Sequence, residues 1–120
     1  MGANDKVLLA LKVWVAAAWA DGVISKQEAD GVRAVIETAR LTDAERKTAR
    51  SWLDKKLELD DINVSQIAPD DRANIFAAAL GVVAIDDEVV AAEHRFLERL
   101  QIALQIDDKH AAEIRKQAGI

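Results

Sequence analysis

Residues 19–28 read Trp-Ala-Asp-Gly-Val-Ile-Ser-Lys-Gln-Glu (WADGVISKQE), and the reading of this stretch decides the fold. Upstream, from about Asp5 to Ala20, the chain is apolar almost all round (DKVLLALKVWVAAAWA). That is the pattern of a helix buried on most sides. Downstream, Ala29, Val32, Val35, Ile36 and Ala39 recur at helical spacing along one face. Between them, Gly22 can take the left-handed conformation that ends a helix, and Asp21 can accept backbone N–H bonds in the turn. Ser25 and Glu28 stand at the spacing of a capping box that opens the next helix. The stretch is a helix end, a turn and a helix start.

The same grammar runs through the chain. Thr42 and Glu45 repeat the capping-box spacing and open a third helix, with Ala49, Trp52, Leu53 and Leu57 facing inward. Asp60 to Asp71 (DDINVSQIAPDD) reads as a connector, with Pro69 near the start of the following helix. Ile75 to Ile85 (IFAAALGVVAI) is a second apolar run, and it too ends in acid, at Asp86-Asp87-Glu88. A helix with Phe96, Leu97, Leu100, Ala103 and Leu104 on one face follows. Asp107-Asp108 then cap a last helix holding Ala111, Ile114 and Ala118. Strand-like alternation is hard to find.

The second half replays the first at a fixed offset of 65 residues, the separation of Asp21 from Asp86. The offset also aligns Glu28 with Glu93, Ile24 with Val89, Val32 with Leu97, Val35 with Leu100 and Leu41 with Ile106. The expected fold is therefore all-α. It is a single domain over residues 1–120, a bundle of about six helices in two pseudo-repeated three-helix units, about 5–59 and 70–118. Two copies are too few for a solenoid, so they should pack on each other around one core.

Bulk properties narrow the function. At 120 residues and 51% hydrophobic, the chain can build a core without staples. There is no cysteine, so disulfides, thiolate metal sites and cysteine nucleophiles are excluded. Net charge is −5, and the densest basic stretch (Arg46, Lys47, Arg50, Lys55, Lys56) is interleaved with Glu45, Asp54 and Glu58. A solvated helix face explains that stretch better than a nucleic-acid footprint. The uninterrupted apolar run Val13 to Ala20 is too short for a membrane span, which takes about 20 residues. Asp5 offsets Lys6 ahead of it, unlike the basic start of a signal peptide. Gly2 is followed by Ala3, Asn4, Asp5 and Lys6, without the Ser or Thr of a myristoylation signal. The expectation is a soluble cytoplasmic protein, a monomer or weak dimer, with no nucleic-acid partner and no membrane span.

The acidic turns are the only concentrated chemistry. An EF-hand would need oxygen ligands where this sequence has Ala17 and Trp19 in the first copy and Val82 and Ala84 in the second. The glycine such a loop requires is Asp87 in the second copy, so this is not an EF-hand. Two readings of Asp21, Glu28, Asp86 and Glu93 remain: helix caps and turn acceptors, which are common, or candidate ligands of a divalent metal. As oxygen donors they favour calcium or magnesium over zinc. His94 and His110 sit on different helices, and His94 beside Glu93 is read as an ordinary helical histidine. No phosphate-binding glycine loop, G-x-S-x-G or H-E-x-x-H is present. Trp14, Trp19 and Trp52 are expected in the core, with a small apolar groove lined by Trp19 as the less favoured alternative.

A very apolar helix, then Ala20-Asp21-Gly22-Val23-Ile24-Ser25-Lys26-Gln27-Glu28, then an amphipathic helix resembles the tellurite-resistance TerB-like family. The second acidic turn, Glu93-His94-Arg95-Phe96-Leu97 and the short Ile106-Asp107 turn are similar to that family's C-terminal half. This resemblance covers most of the chain. It implies an all-helical fold, a role in stress or tellurite resistance without a settled enzymatic activity, and an acidic cluster considered for divalent metal. By position, Asp21 with Glu28 and Asp86 with Glu93 carry the two acidic pairs. The departures are Asp87 where the first copy has Gly22, and Val90 where it has Ser25. Two function classes follow: a non-catalytic stress or scaffold module that binds a protein partner and a metal, or a metal-dependent hydrolase using the same carboxylates. Catalysis would need convergent polar groups around a pocket, which the sequence does not offer, so the first class is preferred.

Overall fold

A helix that is apolar on most sides is stable only when other elements wrap it, and two such helices order this chain. The computed structural model describes residues 5–20, 22, 24–84 and 91–119. Among them are six α-helices: α1 (Asp5–Ala18), α2 (Lys26–Thr38), α3 (Asp43–Ser51), α4 (Pro69–Val83), α5 (Ala91–Ala103) and α6 (Asp108–Ala118). Two 3-10 turns, Leu59–Asp61 and Val64–Gln66, lie between α3 and α4, and there is no strand among the described residues. The radius of gyration, 13.4 Å, is that of one folded domain of this length, about 13.6 Å by the usual scaling.

The apolar helices α1 and α4 pack on each other more extensively than any other pair. Each is flanked by its own followers, α1 by α2 and α3, α4 by α5 and α6. Each also reaches across, α4 to α2 and α1 to α5. Leu11, Val13, Val15, Ala16, Ala17 and Ala18 of α1 are all buried, as are Phe76, Ala79, Leu80 and Val83 of α4. Alanines at the contact let the two backbones approach closely.

The 65-residue offset holds at the level of helix boundaries. Adding 65 to Lys26–Thr38 gives Ala91–Ala103, the observed limits of α5, and adding it to Asp43 gives Asp108, the first residue of α6. Burial follows as well: Leu11 and Phe76, Val15 and Leu80, Val32 and Leu97, and Ala49 and Ile114 are buried in both copies. Val35 breaks the pattern. It is 41% exposed while its counterpart Leu100 is fully buried.

Helix ends follow local chemistry. Both expected capping boxes form, at Ser25/Glu28 and at Thr42/Glu45. Asp107 accepts the N–H of His110 at 2.7 Å to start α6, and Pro69 opens α4 at a position whose N–H has no helical partner. Gly22, with φ +90°, sits in the left-handed region beyond α1 and donates its N–H to the carbonyl of Trp19 at 2.8 Å. The carbonyls at the end of α2 are covered from α3: Arg46 Nη2 donates to Ala39 O at 2.9 Å. Beside it Arg50 makes two bonds to Glu37, at 2.6 and 2.7 Å.

Three details differ from the sequence reading. Helix α3 ends at Ser51, so Trp52 caps it and Leu57 lies in the connector. The connector is not a solvent loop: Leu59, Ile62, Val64 and Ile67 are buried in the main core. Their spacing is irregular because 3-10 turns, not a helix or strand, carry them inward. The three tryptophans are half-buried, and two of them use their polar edge. Trp14 Nε1 donates to Ile75 O at 3.2 Å and Trp19 Nε1 to Trp52 O at 3.1 Å. Lys12 lies over the Trp52 ring, 5.4 Å from its centroid.

Ile62→Ala should therefore cost about 2–4 kcal/mol, as a core truncation does, and chemical denaturation will read it as a lowered midpoint; a surface-loop residue would cost about 0.5 kcal/mol at most. The Arg50 guanidinium bonded to Glu37 holds that carboxyl below the usual range. Its stabilisation is present above the unfolded value and is lost as pH falls through the lowered folded one. The difference in Tm between the parent and Glu37→Gln should accordingly shrink towards zero on acidification from neutral pH.

Candidate functional site

The two glutamates singled out by the repeat are the buried charged side chains among the described residues. Glu28 is 2% exposed and Glu93 5%. Each is the third residue of its helix, α2 and α5 respectively. At that position a carboxylate meets the unsatisfied N–H groups and the positive end of the helix dipole, both of which favour the ionised form. Glu28 Oε1 accepts the backbone N–H of Ser25 at 3.1 Å, and Ser25 Oγ accepts that of Glu28 at 3.0 Å. The reciprocal box needs both halves, and in the second copy the residue three before Glu93 is Val90, which has no side-chain acceptor. The glutamate is kept in both copies while the capping hydroxyl is not.

Asp21 and Asp86, the other two candidate ligands, lie outside the described residues, as do Asp87, Glu88 and Val90. Among the described residues no three histidine, aspartate or glutamate side chains gather into a group able to hold a metal. A cation at either turn would thus need a glutamate together with further oxygens from outside that set, from main-chain carbonyls or from water. His94, the fourth residue of α5, is half-buried, and His110 is exposed at the start of α6.

Next to Glu93 along α5 the chain leaves a cavity that the sequence reading ranked low. It has a volume of about 360 Å³ and three walls: the end of α1 with Ala16, Trp19 and Ala20, the connector from Lys56 to Asp60, and α5 with Ala92, Arg95, Phe96 and Arg99. Its lining is mixed: Trp19, Leu57, Leu59 and Phe96 supply apolar surface, and the charged side chains of the connector and α5 supply at least as much polar surface. Arg99 Nη2 bonds Asp60 Oδ1 at 2.9 Å, and Lys56 Nζ lies 3.4 Å from Glu58 Oε1. Arg95 is exposed and makes no ion pair among the described residues. Lys56, Arg95 and Arg99 were not among the sequence-derived candidates. Their signal was present, as arginine and aromatic residues on α5 where the repeat-equivalent positions of α2 hold none.

The described chain is an all-α, internally duplicated helical domain with a buried glutamate opening the second helix of each half. It belongs to the family described as a protein of unknown function, DUF533, whose model matches residues 2–118. Neither the curated proteins nor the solved structures contain a match to it. Among the described residues, no helix is long and apolar enough to cross a membrane.

Ser25→Ala should destabilise the fold by about 1 kcal/mol, the usual loss for an N-cap. Urea denaturation of the two proteins side by side will show it, and coincident curves would mean that the box contributes nothing.

Proposed function

We propose that this chain is a non-catalytic, cytoplasmic TerB-like module of the stress-response or scaffold kind. In this reading it docks a protein partner and holds a calcium or magnesium ion weakly at its acidic helix turns. The supporting observation is the pair of buried glutamates, Glu28 and Glu93, at equivalent places in the two repeats. Burying a carboxylate is costly unless it is paired, hydrogen-bonded or bound to a metal. Glu28 meets part of that requirement through the Ser25 N–H, and the recurrence of a buried acid at the same place in both halves is what supports a use added to capping. The TerB-like reading rests on the motif from Ala20 to Glu28 and on the helix order around it.

Calcium takes 6–8 oxygen ligands and magnesium demands a near-ideal octahedron. Two carboxylates per turn fall short of either shell, so carbonyls and water must complete it and the affinity is low, about 10⁻⁴–10⁻³ M. Glutamine at the third helix position preserves the capping acceptor while removing the charge, which separates the two uses of the acid. Calorimetry with millimolar calcium and magnesium should give a small saturable heat for the parent. That heat should vanish in Glu28→Gln combined with Asp21→Asn, while thermal stability stays close to that of the parent. A parent protein that gives no heat would reduce the acids to caps. Metal-dependent hydrolysis of a simple phosphate ester by the parent would instead assign the same carboxylates to a hydrolase.

A further inference from the structure

The repeat offers a comparison for the cavity at the end of α1. The junction of α1 with α5 has a counterpart, the junction of α4 with α2, and the 65-residue offset relates their helix residues. Trp19 corresponds to Ala84, Phe96 to Gly31, Arg95 to Asp30 and Arg99 to Ala34. The small cavity at that second junction, about 150 Å³, is walled by Trp14, Val32, Val35, Ala78 and Val82 around Gly31 and Gly81. Of its lining only Gly31 and Gly81 correspond to residues of the larger cavity, Phe96 and Ala16. The Phe96 ring and the arginines have no equivalent in the smaller cavity.

What the lining can do follows from its chemistry. A volume of about 360 Å³ lies within the ~300–1,000 Å³ of small-molecule sites, and its half-polar, half-apolar lining suits a molecule with both characters. The Trp19 ring is held in place by its bond to Trp52 O at 3.1 Å, so the wall is formed before a ligand arrives. Phe96 is 7% exposed and Leu59 7%, a floor set into the core rather than a mobile surface. At the rim three cations stand against two acids, in a chain whose net charge is −5. Glu58 and Asp60 engage Lys56 and Arg99, which leaves the guanidinium of Arg95 to meet an incoming anion. A carboxylate is matched by its planar two-pronged donor geometry. Among the described residues the cavity lies between three segments and offers no strand edge, so it suits a compact molecule rather than an extended peptide.

We propose that this cavity binds a small amphiphilic carboxylate, with an acyl or aromatic body against Trp19, Leu57 and Phe96 and its carboxylate on Arg95. The site is independent of the metal reading, and its test is run without divalent cations. Intrinsic fluorescence of the parent is titrated with decanoate and, separately, with decyltrimethylammonium, which has the same chain and the opposite charge; calorimetry runs in parallel. Decanoate should give a saturable change and the ammonium compound should not. Arg95→Glu, at an exposed position, should keep the fold and weaken decanoate at least about tenfold. Trp19→Phe should abolish most of the fluorescence change while the calorimetric heat persists. Equal binding of the two amphiphiles, unchanged affinity in Arg95→Glu, or no saturable decanoate signal by either method would each overturn the proposal.

Discussion

The structure depends on one constraint: α1 and α4 carry apolar side chains on too many sides to stand in water on their own. From Leu11 to Ala18 nearly every side chain of α1 is buried, and α4 buries Ile75, Phe76, Ala79, Leu80 and Val83. Pairing the two covers one face of each and leaves the others to be covered by amphipathic helices. Helices α2 and α3 do this for α1, and α5 and α6 do it for α4, with α2 and α5 also bridging to the opposite partner. The connector completes the wrapping through Leu59, Ile62, Val64 and Ile67. No outer helix needs strong intrinsic stability, because burial against the central pair supplies most of it.

The same arrangement fixes where the two glutamates go. An outer helix must enter at the end of the apolar helix before it, so its first turn lies close to the core. The third residue of that turn then faces inward in both halves, at Glu28 and at Glu93. An acid there satisfies helix N–H groups and complements the dipole, but an exposed acid does so without the desolvation that these two undergo. Capping accounts for the residue type, and it leaves the depth of burial to be explained by what the carboxylate meets inside.

Much of this was legible in the sequence, for identifiable reasons. The apolar runs around Val13–Ala20 and Ile75–Ile85, the capping spacings at Ser25, Thr42 and Asp107 and the 65-residue echo are local or periodic signals, and local physics decides them. The inward connector was not legible, since Leu59, Ile62, Val64 and Ile67 match neither a 3.6 nor a 2.0 period. Nor was the position of the tryptophans. Each indole N–H must find an acceptor, and the carbonyls that serve Trp14 and Trp19 belong to Ile75 and Trp52, 61 and 33 residues away. Of the candidate site, Glu28 and Glu93 could be picked out by register alone, whereas the basic rim of the cavity is assembled from α5 and the connector and exists only in three dimensions.

Duplication makes agreement and disagreement between the copies informative in different ways. Where both halves keep an apolar residue, as at Val32 and Leu97, the common core explains it. Where both keep a buried acid without keeping its hydroxyl partner, as at Glu28 and Glu93, the third position of the helix is the shared element. Where the halves part company, the fold is shown to tolerate either solution. Gly31 and Asp30 build one junction, Phe96 and Arg95 the other, and α2 and α5 still begin and end in register. Phe96 is buried in the main core while Gly31 offers no side chain to bury, so the two junctions reach their packing by different means. The physical consequence at the end of α1 is a cavity with an aromatic wall beside a positive charge, and that asymmetry is the feature of this chain which its helical architecture leaves over.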